Sequence, residues 1–258
     1  MKSIAVSSNK GGVLKTSITS NLASVLSTQG KKVLIIDTDN QGNIALTFGI
    51  NPDTFDYTIY DVLVCGFDVN KAIVSIAPNI DIIPSNDDMS YFEIDVLTNK
   101  DKFPNPFDLL KNTLGKLKGK YDYIFVDTPP NLGLIVGDAL NAVDVVITPF
   151  HPETYSLRSL AKTIKAIDNF KESNSKLKLG SIVPTKVRQT LLHKANIVSC
   201  EGFAMSNGIK ITKTVIPETI AYANAIGKYR MPLALSYKTK KEKELVDVYV
   251  KLVQELNL

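Results

Sequence analysis

Six short apolar runs punctuate the chain: "SIAVSS" (3–8), "KVLIID" (32–37), "IDIIPS" (80–85), "YDYIFVD" (121–127), "DVVITPF" (144–150) and "LGSIVPT" (179–185). Runs of this length, with little polar alternation, are what strands buried on both faces of a parallel sheet look like. Between several of them the period changes. Ile18, Leu22, Val25 and Leu26 fall on one helical face that stops at Gly30. Leu157, Leu160, Ile164, Ile167 and Phe170 make a second such face, and Leu245, Tyr249, Leu252, Val253 and Leu256 a third. Buried strands alternating with amphipathic helices predict an α/β fold, a mainly parallel twisted sheet with helices on both faces. No repeat or long Pro/Gly/Ser linker divides residues 1–258, so one domain is expected. Residues 86–106, "NDDMSYFEIDVLTNKDKFPNP", follow neither period and read as a surface excursion.

Composition narrows the function classes. The chain is 44% hydrophobic with a mean hydropathy of +0.04, ordinary for a globular domain. No apolar run approaches the roughly 18–20 residues of a membrane span, and the N-terminal apolar stretch is too short for the core of a signal peptide. Cys65 and Cys200 have neither metal-ligand spacing nor a disulfide framework; they read as small, partly buried apolar residues in a reducing cytoplasm. Net charge is +4, unevenly spread. Residues 1–150 hold 12 Lys/Arg against 17 Asp/Glu, and residues 151–258 hold 18 against 9. The basic half suggests a polyanionic partner, although scattered lysines more commonly mean only a solvated surface.

The chemistry concentrates at "VSSNKGGVLKTS" (6–17). A strand, a glycine pair and Lys-Thr opening a helix form the context of a phosphate loop: backbone N–H groups and the helix N-terminus face the phosphates. Lys15 would meet the β- and γ-phosphates and the Thr16 hydroxyl would meet Mg²⁺. The bland alternative is an ordinary glycine-rich turn. Two further strand ends carry acids: Asp37 and Asp39 in "IIDTDNQGN", and Asp127 in "IFVDTPPNLG". A strand-end aspartate beside such a loop can hold a nucleotide-bound Mg²⁺ through water, though either one alone could simply cap a turn.

The spacing Lys10-Gly11-Gly12-x-x-Lys15-Thr16 resembles the deviant Walker A motif of the ParA/MinD family of P-loop ATPases. "DTDNQGN" is similar to that family's D-x-D-P-Q-G-N segment, with Asn40 in place of proline. "DTPPNLGLIVGDALNAVDVVITP", "GSIVPT" and "KTVIPETIAYANAIGKYRMP" resemble its later landmarks in order, so the likeness runs from about residue 2 to 258. It implies an ATPase using ATP and Mg²⁺, with nucleotide contacts from Gly11, Gly12, Val13, Leu14, Lys15, Thr16 and Ser17. Asp39 would orient the attacking water, Thr16, Asp37 and Asp127 would serve the metal, and Pro184 and Pro217 would lie near the base. Lys10 would reach across a homodimer to the partner's nucleotide, joining Lys15 and Asp39 as catalytic groups.

Leu14 departs from the family's glycine, and a leucine held at positive φ costs roughly 1–2 kcal/mol. Weakened or reshaped nucleotide binding is therefore expected rather than none. Among relatives, the iron proteins need cluster cysteines this chain does not arrange. The tail "ELVDVYVKLVQELNL" carries acids and few lysines, so it reads as a packing helix and not as a membrane anchor. The chain starts directly at its first strand, with no helix-turn-helix module before the loop. This implies a short ParA/Soj-type partition ATPase, cytoplasmic and nucleoid-associated, that binds DNA non-specifically and works with a centromere-binding ParB-like adaptor. Candidate DNA contacts are Lys186, Arg188, Lys210, Lys213, Lys228 and Arg230, with Lys194, Lys238, Lys240 and Lys241 in reserve. Glu218 and Ala221 stand where that family often has DNA-touching arginines. The rivals are a non-hydrolysing scaffold and a small-molecule kinase or synthase on the same loop.

Overall fold

The strands expected from the apolar runs form, in the computed structural model, part of one seven-stranded sheet; the structure describes residues 1–258. They are β1 (Lys2–Val6), β2 (Val33–Asp37), β3 (Val74–Ala77), β4 (Ile80–Ile83), β5 (Tyr123–Asp127), β6 (Val145–Phe150) and β7 (Lys178–Pro184). Their order is β3-β4-β2-β5-β1-β6-β7, and every neighbouring pair is parallel except β3 with β4. The helices are α1 (Lys15–Thr28), α2 (Asn43–Thr47), α3 (Phe92–Thr98), α4 (Leu109–Lys116), α5 (Leu134–Ala142), α6 (Ser156–Phe170), α7 (Leu191–Ser206), α8 (Ala221–Tyr229), α9 (Leu233–Ser236) and α10 (Lys240–Glu255).

Successive residues of each central strand feed opposite faces of the sheet, as a period of two requires. Ala5, Leu34, Ile36, Ile124 and Val126 enter a core of 28 buried residues shared with α3, α4 and α5. Ile4, Val6, Val33, Ile35 and Phe125 enter a second core of 26 with α1, α8 and α10. Both faces are covered, which is why these strands read as unbroken apolar runs. The helix expected from Ile18 begins three residues earlier, at Lys15, and the chain turns out of it through Gly30 at φ 80°. Helix α10 opens with a capping box between Thr239 and Glu242.

Two expectations change. Residues 86–106 are not merely a surface excursion: Met89, Phe92, Val96 and Phe103 pack into the first core, and Phe92–Thr98 is helical. The apolar residues lie four apart (Phe92, Val96), but the helix has too few turns for its period to show. Cys65 is exposed, whereas Cys200 is buried. The extra strand β3 is an antiparallel edge of four residues, only partly buried, and so lacks the apolar run that marks the others.

Candidate functional site: a cavity at the carboxyl edge of the sheet

Strands β1, β5 and β2 lie side by side, and register pairs Val6 with Asp127 and Asp127 with Asp37. The three chain segments that leave these strand tips therefore diverge around one place, the usual position for a ligand in such a sheet. Residues 7–14 form the loop after β1 and lead directly into the N-terminus of α1. Gly12 (φ 70°) and Leu14 (φ 70°, ψ 29°) both take left-handed conformations, and Leu14 is the residue that begins the helix without any side-chain cap. Position 14 thus has the backbone geometry that favours glycine, and the leucine bears the cost.

A cavity of about 560 Å³ opens here, walled by Gly11, Gly12, Lys15, Thr16, Ser17 and Asp39. Lys15 is only 8% exposed. Burial lowers its pKa, while Asp127 and Asp39 pull it back upward. Thr16 Oγ1 donates to Asp127 Oδ2 at 2.6 Å, and Thr19 Oγ1 to Asp127 Oδ1 at 3.0 Å. Asp127 is also tied to the β2 loop, since the Thr38 amide and hydroxyl both donate to its carbonyl, at 3.0 and 2.7 Å. Burial pushes the Asp127 carboxyl up to about 6, against the opposing pull of Thr16, Thr19 and Lys15. A cation placed beside it would favour the ionised form.

Asp37 sits beside Asp127 in register, one strand farther from the loop after β1. It is fully buried and does not line the cavity. Its Oδ1 accepts from the Asp39 amide and its Oδ2 from the Ile44 amide, both at 3.0 Å, so it folds the 38–44 loop over the strand tip. Burial, and secondarily the nearby Asp127, raises its pKa well above the usual range. Asp39, on the loop Asp37 shapes, does face the cavity and accepts from the Gln41 amide at 3.1 Å.

The cavity continues past Leu14, Ser17, Lys186 and Ile226 into a second recess of about 600 Å³ bordered by Pro217, Arg188 and Glu218. Pro217 lines this second recess. Pro184 is buried at the end of β7 and lines neither recess; its carbonyl accepts from the Ile216 amide at 2.9 Å, placing the segment that carries Pro217. Val13 is 1% exposed and turns inward. Lys10 does not border the cavity. Its Nζ lies 2.5 Å from Glu153 Oε2 and 3.1 Å from Ser156 Oγ, at the start of α6.

The basic candidates do not share one part. Lys186 walls the cavity at φ 51°, and Arg188 is ion-paired with Glu218 beside the second recess. Lys228 lies 5.1 Å over the Tyr229 ring, and Arg230 packs on Gly49, where an added Cβ would come within 2.4 Å of it. Lys210 and Lys213 are exposed. His193 is buried, its Nδ1 accepting from the Arg188 amide at 3.1 Å, a structural use.

Several residues were not singled out from sequence. Gln41, Asn43, Thr47 and Pro130 also wall the cavity. Thr19 stands one turn beyond Thr16 on α1, a spacing that would have placed both hydroxyls on Asp127's side. Glu153 carries no local signal at all. Three His, Cys, Asp or Glu side chains do not converge on one point. What the cavity offers instead is a hydroxyl–carboxylate pair, a buried lysine and a helix N-terminus, a donor set suited to a phosphate chain with a hard, largely water-bound cation.

The chain is similar to known proteins in sequence and in fold. A family model described as an AAA domain matches residues 1–179. A putative plasmid partition protein from Borrelia burgdorferi, bound to AMPPNP, is similar at a TM-score of 0.74 and 27% identity, over 97% of this chain and 99% of that one. A cobyrinic acid a,c-diamide synthase from Mycobacterium smegmatis, with bound ATP analogue and magnesium, superimposes with a TM-score of 0.82 at 25% identity, over 98% and 94%. A ParA family protein of Mycoplasma genitalium is 31% identical over 98% of this chain and 96% of its own length. The phosphate-loop cavity, the seven-stranded sheet and this end-to-end likeness lead to one conclusion: the chain belongs to the ParA family of P-loop ATPases.

Proposed function

We propose that the protein is a partition-type ATPase whose ATP-bound homodimer holds DNA without sequence preference and lets go after hydrolysis. The observation that carries this reading is the convergence of Lys15, Thr16 and Asp39 on one cavity at the carboxyl edge of the sheet, with Asp127 buried directly behind Thr16 and bonded to its hydroxyl. Lys15 and the loop amides bind the β- and γ-phosphates; Thr16 and Asp127 would hold Mg²⁺, which when bound would supply positive charge beside the transferred phosphoryl group. Asp39, on the cavity wall, orients the attacking water. Catalysis is positioning and charge stabilisation, without a covalent intermediate.

Lys10 contacts the nucleotide of a second copy, so closing the dimer requires it to leave Glu153. Closure brings the basic residues of two chains together, and doubling the phosphate contacts raises DNA affinity steeply. A centromere-binding adaptor hastens hydrolysis and reopens the pair. The synthase reading is less favoured, because Asp39 is the one carboxylate on the cavity wall and has no acid–base partner there. The experiment is binding to a random-sequence duplex at fixed salt with ATP–Mg²⁺, with ADP–Mg²⁺ and without nucleotide. Binding only with ATP is expected; binding indifferent to nucleotide, or absent throughout, overturns the switch.

A further inference from the structure

We propose that the recess at the amino edge of the sheet is a binding site for a phosphorylated sugar, an inference that goes beyond the switch reading and does not depend on it. The recess has a volume of about 600 Å³ and lies among the starts of β1 and β6, the ends of α4 and α5, and the segment after α6. That size is within the range of small-molecule sites. Its wall is polar: of 14 lining residues only three are hydrophobic, which suits a hydrophilic ligand. The five residues of β1 separate it from the phosphate loop, about 16 Å at the usual rise of a strand, so the two sites can fill independently.

Charge sets the first requirement. Lys111, Lys118 and Lys176 stand exposed on the wall against one carboxylate, Asp144. Asp144 Oδ2 already accepts from the Ser3 amide at 2.9 Å and from its hydroxyl at 2.7 Å. Lys118 and Lys176 form no ion pair, and Lys111 has only Asp108, at 3.7 Å. The segments that frame the recess, 111–120 and 171–178, hold seven lysines and one acid, Glu172. Not all of the nearby lysines serve it: Lys171 pairs with Asp168, Lys120 bonds to Asn70, and Lys2 turns its Nζ to the Asn257 carbonyl. Cations beside a helix C-terminus also answer its dipole. Here, however, the chain's own donors take the helix-end carbonyls: Asn174 Nδ2 meets those of Leu140 and Val143, at 3.1 and 2.8 Å, and the Lys118 amide that of Gly115. Three lysine heads around one concavity therefore remain to attract a small anion, and phosphate is the group they bind most strongly.

The floor sets the second requirement. Asn141 borders the recess and is only 5% exposed. Its Nδ2 donates to the Phe107 carbonyl at 2.9 Å and to Asp108 Oδ1 at 3.0 Å, while its Oδ1 is buried without a partner. Buried acceptors are normally satisfied. A fully ionised phosphate has no hydrogen to give; a sugar hydroxyl does, directly or through a water it holds. Ser173 and Ser175 add further hydroxyls at the wall. A phosphate for the lysines and hydroxyls for the floor meet in one ligand class. A DNA duplex laid across the rim would touch the lysines and leave the floor unfilled.

The test is calorimetric titration of the protein with fructose 1,6-bisphosphate, glucose 6-phosphate and ribose 5-phosphate, with and without saturating AMPPNP–Mg²⁺. At least one should bind with a Kd below about 1 mM, and AMPPNP should not alter it. The parent sugars and inorganic phosphate should bind about tenfold or more weakly. A Lys118→Ala/Lys176→Ala variant should lose about tenfold or more, as the loss of a charged hydrogen bond implies. Lys162→Ala/Lys165→Ala, the same charge change on the exposed side of α6, should lose nothing. Thermal unfolding of both variants verifies their folding. No binding by any of the three, equal binding by the Lys118/Lys176 variant, or equal loss in the α6 variant overturns the proposal. So does inorganic phosphate that binds as tightly as the sugar phosphates, or displacement by AMPPNP, which would put the probe in the nucleotide cavity. Random-duplex binding lost in the Lys118/Lys176 variant, in place of sugar-phosphate binding, would assign these lysines to nucleic acid instead. Failure of AMPPNP to bind would defeat the switch reading and leave the sugar-phosphate result untouched.

Discussion

The two ends of the nucleotide cavity are built differently. At the phosphate end, the polar groups come from three strand tips, are nearly all buried, and hold one another: Thr16 and Thr19 on Asp127, Thr38 on its carbonyl, Asp37 on the loop that presents Asp39. At the other end, the second recess, Arg188, Glu218 and Ile220 are exposed, and the principal polar contact is a surface ion pair. Buried polar groups must be satisfied, so each residue of the first set constrains the next. Exposed groups can exchange a protein partner for water at little cost. Binding energy and stability should therefore be concentrated at the phosphate end.

The sharpest attack on that contrast is Lys15→Ala. It removes the one buried cation of the cavity, and nucleotide affinity should fall by about a hundredfold or more, following the 2–5 kcal/mol that a truncated buried charge contact costs. Equilibrium binding of a fluorescent ATP analogue reads this directly. Asp127→Ala should come next. It leaves the Thr16 hydroxyl without its acceptor and Thr19 with only the Lys15 carbonyl, and should destabilise the ligand-free chain by about 2 kcal/mol in urea titration, while Mg²⁺ ceases to improve nucleotide binding.

A buried carboxylate outside the cavity serves as the control for pH. Asp138 on α5 accepts the Leu110 amide with both oxygens, at 3.1 and 3.0 Å, and burial pushes its pKa up to about 8. The folded state then keeps a proton that the unfolded chain releases near its ordinary value. Its contribution to stability is full below the unfolded pKa and is lost as pH rises through about 8. The Tm should fall between mildly acidic and mildly alkaline buffer, and Asp138→Asn should flatten that slope while keeping an acceptor for Leu110. A smaller effect is expected of Leu14→Gly. Relief of the left-handed leucine is offset by a more flexible unfolded chain and lost packing, so stability should change by less than about 1 kcal/mol. Nucleotide should nevertheless bind several-fold tighter, because Leu14 stands where the two recesses meet. The smallest effect belongs to Arg188→Ala, about 1 kcal/mol or less in stability for an exposed pair. A loss as large as that from Asp127→Ala would erase the contrast between the two ends.

The same contrast explains what could be read from the amino-acid order. Consecutive residues at a strand tip carry their spacing with them, so Lys10 to Thr16, the acids after β2 and Asp127 were legible, as were the six buried strands. The second recess is assembled from segments 186–188 and 217–226, whose meeting depends on how β7 and the following chain fold back; Pro217 fell on its wall and Pro184 did not. The two backbone amides that Asp37 accepts are not legible in the order, because a buried carboxylate that shapes a loop and one that faces a ligand look alike in sequence. Residues 86–106 were undervalued since a seven-residue helix with one buried side shows too little periodicity. The partner of Lys10 was invisible for a simpler reason: Glu153 lies 143 positions away.

That contact gives Lys10 a resting place. A charge that must leave one carboxylate before it serves a phosphate on another molecule gains only the difference between the two attachments. In the dimer proposed above, pairing of subunits would then draw less from Lys10 than the lysine's charge alone suggests, and would be easy to undo. Glu153 would act as a counterweight, setting how small a change at the phosphates is enough to tip two separate chains into one.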